Sequence, residues 1–249
     1  MTWSIIARDP LTGQLGIVVA SRFFAVGGVV PHMRGGLGAI ATQAFISPMW
    51  GTEGLKMLEA GASPQEVIDR LVARDEGHPN RQLHLIDAQG RSAAFTGAAC
   101  IGWCGHLGAG GVSIAGNMLE GPQVLEATLC TYQRAMDRPF AERLLSAMQA
   151  GEDAGGDKRG RQSAALMICR DQDYVWLDIR ADDDSDPLAE LRRLYAVAQE
   201  RYLHVAETMP TRENPHGMID RGPIDARIAA LEAKREARGI ASASRMFNK

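Results

Sequence analysis

Cysteine, aromatic residues and long apolar runs are all scarce in this 249-residue chain, and each scarcity excludes a class of explanation. Four cysteines, Cys100, Cys104, Cys130 and Cys169, are too few for a disulfide scaffold and read as reduced thiols of a cytoplasmic protein. No apolar run reaches the roughly eighteen residues of a membrane span, and the N-terminus lacks the basic, apolar and small-residue order of a signal peptide. A charge excess is missing too. The 27 Lys and Arg against 30 Asp and Glu give a net charge of −3, so neither nucleic acid nor membrane is an expected partner. What remains is a 45% hydrophobic chain with 27 glycines, long enough for one large domain or two small ones.

The first twenty-four residues predict a hairpin that starts at the chain terminus, with no leader. Two β-rich runs flank Asp9-Pro10-Leu11-Thr12-Gly13, where Pro suits an early turn position and Gly a positive φ. A small, apolar strand follows, Leu37 to Ala44, ending in the polar pair Thr42-Gln43. Two helices are expected next: Pro48 to Ala60, and one opened by the capping box Ser63-Pro64-Gln65-Glu66, with Val67, Ile68, Leu71 and Val72 on its buried face. Arg81 to Asp87 and Arg91 to Thr96 form a second hairpin. Strands are predicted at Ala98 to Trp103 and Val112 to Met118, joined by a glycine-rich loop.

Helices resume after Gly121-Pro122, where Val124, Leu125, Leu129, Tyr132 and Met136 share a face, and again from Pro139 to Gly151. The last hairpin pairs Ser163 to Cys169 with Tyr174 to Arg180, and a helix from Asp186-Pro187 extends to about Leu203. Antiparallel hairpins segregated from paired helices indicate α+β. Runs that are apolar on both faces, Ile17 to Ala20 and Ala164 to Ile168, favour two stacked sheets covered by helices. One domain is expected over residues 1–203. Residues 204–249 read as a linker and a charge-rich helical arm, Ile224 to Arg238, that packs on the body or on a neighbouring subunit.

Three motifs invite function and are better explained otherwise. Cys100, Cys104 and His106 are C-x₃-C-x-H without a fourth zinc ligand nearby, so buried thiols with a loop histidine are preferred. Gly108-Ala109-Gly110-Gly111 opens a strand where a dinucleotide loop opens a helix. The acidic run Asp178 to Asp186 lacks the calcium-loop spacing. For Arg161, in the polar loop before Ser163, anion binding and simple solvation are evenly matched. No cofactor and no metal is expected.

A further chemical feature lies at the terminus. Removal of Met1 would place an α-amine, with an ordinary pKa of about 8, on the same residue as the Thr2 hydroxyl, a nucleophile beside its own base.

Several blocks together, Ser4-Ile5-Ile6-Ala7-Arg8-Asp9-Pro10, Ala20-Ser21-Arg22-Phe23-Phe24-Ala25-Val26-Gly27, Ala41-Thr42-Gln43-Ala44, Thr96-Gly97-Ala98-Ala99-Cys100, Gly116-Asn117-Met118-Leu119 and Gly155-Gly156-Asp157-Lys158-Arg159-Gly160-Arg161-Gln162-Ser163, resemble the bacterial family known as domain of unknown function 1028. That family is similar to the N-terminal nucleophile hydrolases. The resemblance implies a four-layer αββα sandwich of two mainly antiparallel sheets, and amide hydrolysis by an N-terminal Thr, for which Thr2 is the matching position. Proteasome-like members of the superfamily carry an Asp at the end of the second strand and a Lys on the next, where this chain has Ser21-Arg22 and His32-Met33-Arg34.

The expected function is therefore hydrolysis of a C–N bond in a small, anionic substrate. Thr2, Ser21, Thr42, Gln43 and Asn117 are the catalytic candidates; Arg22, Arg34, Arg161 and Ser163 are the substrate-binding ones. A deaminase of a small enamine or imine acid, and a non-catalytic binding or assembly protein, are the alternatives. A homo-oligomer is expected.

Overall fold

In the computed structural model, which describes residues 2–246, the first hairpin joins β1 (Thr2–Arg8) to β2 (Leu15–Ser21). Gly13 closes the turn at φ 73°, a conformation in which a Cβ would be strained. Its N–H donates to the Asp9 carbonyl at 2.9 Å. The chain then adds β3 (Pro31–Arg34) and β4 (Gly38–Ala44), helices α1 (Pro48–Glu59) and α2 (Pro64–Ala73), and β5 (Arg81–Asp87) with β6 (Ser92–Thr96). The Ser63 capping box forms as its sequence dictates: Ser63 Oγ accepts from the Glu66 N–H at 3.3 Å, and the Glu66 carboxylate accepts from the Ser63 N–H at 2.7 Å.

β7 (Trp103–Ala109) and β8 (Val112–Leu119) follow, then α3 (Gln123–Arg134), α4 (Phe140–Asp153), β9 (Ser163–Cys169) and β10 (Val175–Ala181). Here the sequence expectation of a strand over Ala98 to Trp103 is corrected. Residues 98–102 form a loop, and the glycine-rich segment is itself strand β7. Gly110 and Gly111, at φ 39° and 81°, supply a two-residue turn, so the strand can run up to them. Helix α4 also runs past Gly151, the expected stop. A Cβ at Gly151 would lie 2.3 Å from Thr128 Oγ1 of α3, so this glycine lets two helices approach.

All strand pairs are antiparallel. β10-β9-β2-β1-β8-β7 make a six-stranded sheet and β3-β4-β5-β6 a four-stranded one. Helices α1 and α2 cover the smaller sheet, α3 and α4 cover the larger, and the sheets face each other. The result is a four-layer αββα sandwich of α+β class. Ile6, Leu15, Ile17, Val19, Val26, Val30, Ala39, Ala41, Ile86 and Ala165 fill the space between the sheets. Ile40, Trp50, Val67, Ile68, Leu71, Leu83 and Leu85 form the layer under α1 and α2. Successive side chains of a strand point to opposite faces, so even-numbered residues of β1 enter the inter-sheet layer and odd-numbered ones the helical layer, and nearly all are buried.

The chain divides into two compact units, the first ending at Leu188 and the second beginning at Ala189. Helix α5 (Pro187–Val197) leads into the second, where a π-turn over Ala198–Tyr202 precedes α6 (Leu203–Ala206) and α7 (Gly222–Ala237). Glu200 in that turn accepts from Ser242 Oγ at 2.7 Å and the Ala243 N–H at 2.6 Å, and pairs with Arg235 of α7 at 3.2 Å. These bonds tie the 240s back to the unit's own helices. No helix among the described residues is long and apolar enough to cross a membrane.

Candidate functional site

Antiparallel pairing fixes which side chains can meet at the end of the sandwich where β1 starts. Thr2 is opposite Ser21 on β2 and Asn117 on β8, and Ser21 is opposite Ser163 on β9. Four predicted site residues thus form one row across four strands, in the order Asn117, Thr2, Ser21, Ser163. All four are buried. The Thr2 and Ser21 hydroxyls are 3.1 Å apart. Among the described residues no ionisable side chain hydrogen-bonds the Thr2 hydroxyl.

A buried polar network continues from this row into the inter-sheet layer. Ser4 Oγ donates to Gln43 Oε1 at 2.8 Å, Gln43 Nε2 donates to Gln82 Oε1 at 2.8 Å, and Asn117 Nδ2 donates to the same oxygen at 3.0 Å. Gln82 Nε2 in turn reaches Thr96 Oγ1 and the carbonyls of Gly105 and Gly116, all within 3.0 Å. Gln82 is therefore the hub that fixes the Asn117 amide. An unsatisfied buried polar group costs about 1–3 kcal/mol, so a hub serving this many partners holds them firmly.

His84 lies in the same layer, with Nε2 2.8 Å from Ser4 Oγ and Nδ1 3.0 Å from Ser113 Oγ. Ser4 spends its proton on Gln43, so the imidazole must donate from Nε2 and accept at Nδ1. This arrangement excludes His84 as a base for Ser4. Burial, reinforced by the nearby His106, pushes the His84 pKa down to about 3, against a hydrogen bond with the Ser113 backbone that raises it. Between about pH 3 and the ordinary 6.5 the unfolded chain binds a proton that the fold refuses, so stability falls with falling pH throughout that window. Replacing His84 by Leu is expected to flatten the stability-versus-pH curve there by about 1.4 kcal/mol per pH unit, measured by urea unfolding. An unchanged slope contradicts a neutral buried His84.

The remaining predicted residues fare differently. Gln43 is engaged at both ends by Ser4 and Gln82. Thr42 points to the other face of β4, where its hydroxyl accepts from the Ser47 N–H at 3.2 Å at the head of α1. Ser163 Oγ donates to the Phe23 carbonyl and accepts from the Val26 N–H at 3.1 Å, anchoring the loop after β2. Arg161 is held by Glu152 and by Asp186, the latter at 2.8 Å. Arg34 sits at the far end of the sandwich and pairs with Glu59 and, at 3.8 Å, Asp173. Arg22 stays at the mouth: its guanidinium donates to the Arg159 carbonyl, and its backbone N–H donates to the buried Asp157 carboxylate at 3.2 Å. Among the described residues no carboxylate side chain pairs with the Arg22 guanidinium.

Backbone strain collects at this end as well. Ala25, Ala44 and Met118 are the non-glycine residues with left-handed φ among those described, at 51°, 66° and 54°. Ala25 lies in the loop after β2, Ala44 is the last residue of β4 and Met118 follows Asn117 in β8; each such conformation costs about 1 kcal/mol or more. Among the described residues no three His, Cys, Asp or Glu side chains are grouped so as to hold a metal ion. Cys100 Sγ donates to the Arg81 carbonyl, Cys104 Sγ donates to the Cys100 carbonyl, and His106 Nδ1 lies 3.0 Å from Thr96 Oγ1.

Comparison with known proteins places this architecture. A structure of the Silicibacter pomeroyi protein SPO2555, described as a member of DUF1028, aligns with a TM-score of 0.82 at 32% identity, over 89% of this chain and 96% of that one. Anbu (ancestral beta-subunit) from Yersinia bercovieri aligns with a TM-score of 0.39 at 13% identity, over 84% of this chain and 98% of that one. No curated protein matches significantly. The model of the family of unknown function DUF1028 matches residues 2–191, and the chain belongs to that family.

Proposed function

We propose that the protein is a hydrolase of a C–N bond in a small carboxylate-bearing molecule, acting in the cytoplasm, with Thr2 as its nucleophile once Met1 is removed. The observation that carries this reading is the row Asn117, Thr2, Ser21, Ser163, which sets the Thr2 hydroxyl 3.1 Å from Ser21 Oγ at the start of β1. While Met1 is attached, the Thr2 nitrogen is an amide and cannot accept a proton. Freed, it becomes an amine that takes the hydroxyl proton as Thr2 Oγ1 attacks the substrate carbonyl carbon.

The tetrahedral oxyanion needs a donor, and Asn117 keeps one amide N–H beyond the one given to Gln82. Collapse expels the substrate amine, which takes up the proton from the Thr2 ammonium, and leaves an ester on Thr2. Water, deprotonated by the same amine, hydrolyses that ester to the carboxylic acid. Ser21 orients the Thr2 hydroxyl. Arg22 anchors the substrate carboxylate, whereas Arg34 and Arg161 already have carboxylate partners.

A panel of N-acylglycines tests the anchor. Arg22→Ala is expected to raise KM about tenfold or more while kcat changes little, the signature of lost uniform binding through a charge-assisted hydrogen bond. An unchanged KM removes Arg22 from the site. The second reading, a binding protein without turnover, is favoured by the lack of any ionisable partner at the Thr2 hydroxyl among the described residues. It predicts binding of the same panel with no product at all.

A further inference from the structure

Beside Asn117 the ends of β4 and β8 and the loop over residues 99–101 enclose a cavity of 180 Å³. Its walls are Ala44, Phe45, Ala99, Cys100, Ile101 and Met118, with the amides of Asn80 and Asn117 as its polar side chains. Two of the three left-handed alanine and methionine positions, Ala44 and Met118, belong to these walls. The strain is held by short backbone bonds across the cavity rim: the Phe45 N–H donates to the Asn80 carbonyl at 3.0 Å, and the Met118 N–H to the Ile101 carbonyl at 3.2 Å. No wall residue carries a charge. Burial, with Cys104 next to it, raises the Cys100 pKa and keeps that thiol neutral.

Sheet order gives the cavity its meaning. Arg22 extends β2, Thr2 begins β1, and the cavity wall comes from β8, so β1 separates the charged flank from the uncharged one. At the ~30 Å³ that one water occupies in the liquid, the volume accommodates about six non-hydrogen atoms. We propose that this cavity receives a small, uncharged, largely apolar substituent of the substrate, which makes the substrate class short-chain N-acyl amino acids and related amides. Its place in the reaction rests on Thr2 being the nucleophile; its ligand preference does not. The acyl group occupies the cavity, the scissile amide lies at Thr2, and the carboxylate of the amine portion reaches Arg22. Asn117 and Asn80 can hydrogen-bond a neutral amide or carbonyl at the cavity mouth, whereas a carboxylate inside would be buried without a counter-ion.

The test uses full-length protein carrying Thr2→Ala, so that no turnover intrudes. Cys100 is alkylated with iodoacetamide at alkaline pH, where part of the thiol ionises, in the presence of increasing isobutyramide or isobutyrate, and its rate is followed by peptide mass spectrometry, with exposed Cys130 as the internal control. Isobutyramide is expected to slow Cys100 about tenfold at the top of its titration without affecting Cys130, and isobutyrate to leave Cys100 unchanged. Adding Ala99→Phe, at an exposed position that tolerates a larger side chain, is expected to abolish the protection. Absence of protection, equal protection by isobutyrate, or protection that survives Ala99→Phe each overturns the pocket. A protected Cys100 in a protein that never hydrolyses amides would uphold the pocket and sink only the nucleophile.

Discussion

Thr2→Ala is expected to lower turnover of N-acylglycines by on the order of 10⁴-fold or more, while Thr2→Ser keeps a measurable part of it. The reasoning is local. The alanine variant deletes the hydroxyl oxygen that attacks the carbonyl, and it leaves β1 and its pairing with β2 and β8 intact. The hydroxyl's interaction with Ser21 Oγ is one neutral hydrogen bond, worth about 1 kcal/mol, so the variant should remain folded. Serine restores the oxygen without the methyl group. Equal kcat/KM for wild type and Thr2→Ala, in proteins with matching urea midpoints, would remove Thr2 from the chemistry. Because the freed amine must be neutral to accept the proton, wild-type kcat/KM should rise with pH toward the ordinary amine pKa of about 8 and then level off.

The second large effect concerns the hairpin that presents Thr2. Arg143 of α4 is buried, and its guanidinium donates to Asp9 Oδ1 at 2.7 Å. The same group lies 5.1 Å from the Tyr132 ring centroid and 5.2 Å from that of Phe140, while its other nitrogen reaches Met136 Sδ at 3.0 Å. Asp9 sits in the β1–β2 turn, where its other carboxylate oxygen takes bonds from the Thr12 hydroxyl and N–H. Burial would by itself raise the Asp9 pKa, but the hydrogen bonds from Thr12 and Arg143, and the Arg143 charge, together bring it below the ordinary 3.8.

Arg143→Leu strands the Asp9 charge and is expected to cost about 3–5 kcal/mol, read from urea unfolding at pH 7. The double variant with Asp9→Asn should recover part of that loss. A depressed carboxylate pKa contributes stability that is complete above the unfolded value of 3.8 and disappears as pH falls through the folded one. The wild-type advantage over Arg143→Leu must therefore be greatest near neutral pH and shrink as pH falls through the Asp9 pKa values of the two folded proteins, that of the variant being the higher because it lacks the Arg143 charge. An Arg143→Leu protein as stable as wild type would show that the pair does not hold the hairpin.

Local signals carried much of this fold in readable form. Asp9 to Gly13 announces its turn, Ser63-Pro64-Gln65-Glu66 its capping box, and both hold in the structure. Thr2 stood out by its place at the terminus and Ser21, Asn117 and Ser163 by the family resemblance, while their shared row is visible only in the strand pairing. Gln82 and His84 were not. In Arg81-Gln82-Leu83-His84-Leu85 the polar residues alternate with leucines, the ordinary pattern of a strand with one face in water. Here the leucines pack under α1 and α2, and the polar side faces the other sheet, where Ser4 and Asn117 meet it. Only pairing across the sandwich shows that this polar face is buried.

The surroundings of the arginines were hidden for a related reason. Arg161 is neutralised by Glu152 and by Asp186, twenty-five residues further along, and Arg34 is carried by the direction of β3 to the end remote from Thr2. Arg22 alone of the three remains on the flank of the row, because β2 delivers it there directly after Ser21.

Whether Thr2 becomes the reactive terminus is read from the intact mass of catalytically active protein. The species turning over N-acylglycines is expected to lack Met1, and incubation with an activated acyl ester to add one acyl group, mapped to Thr2. Full activity in protein whose mass retains Met1 would contradict that role for Thr2.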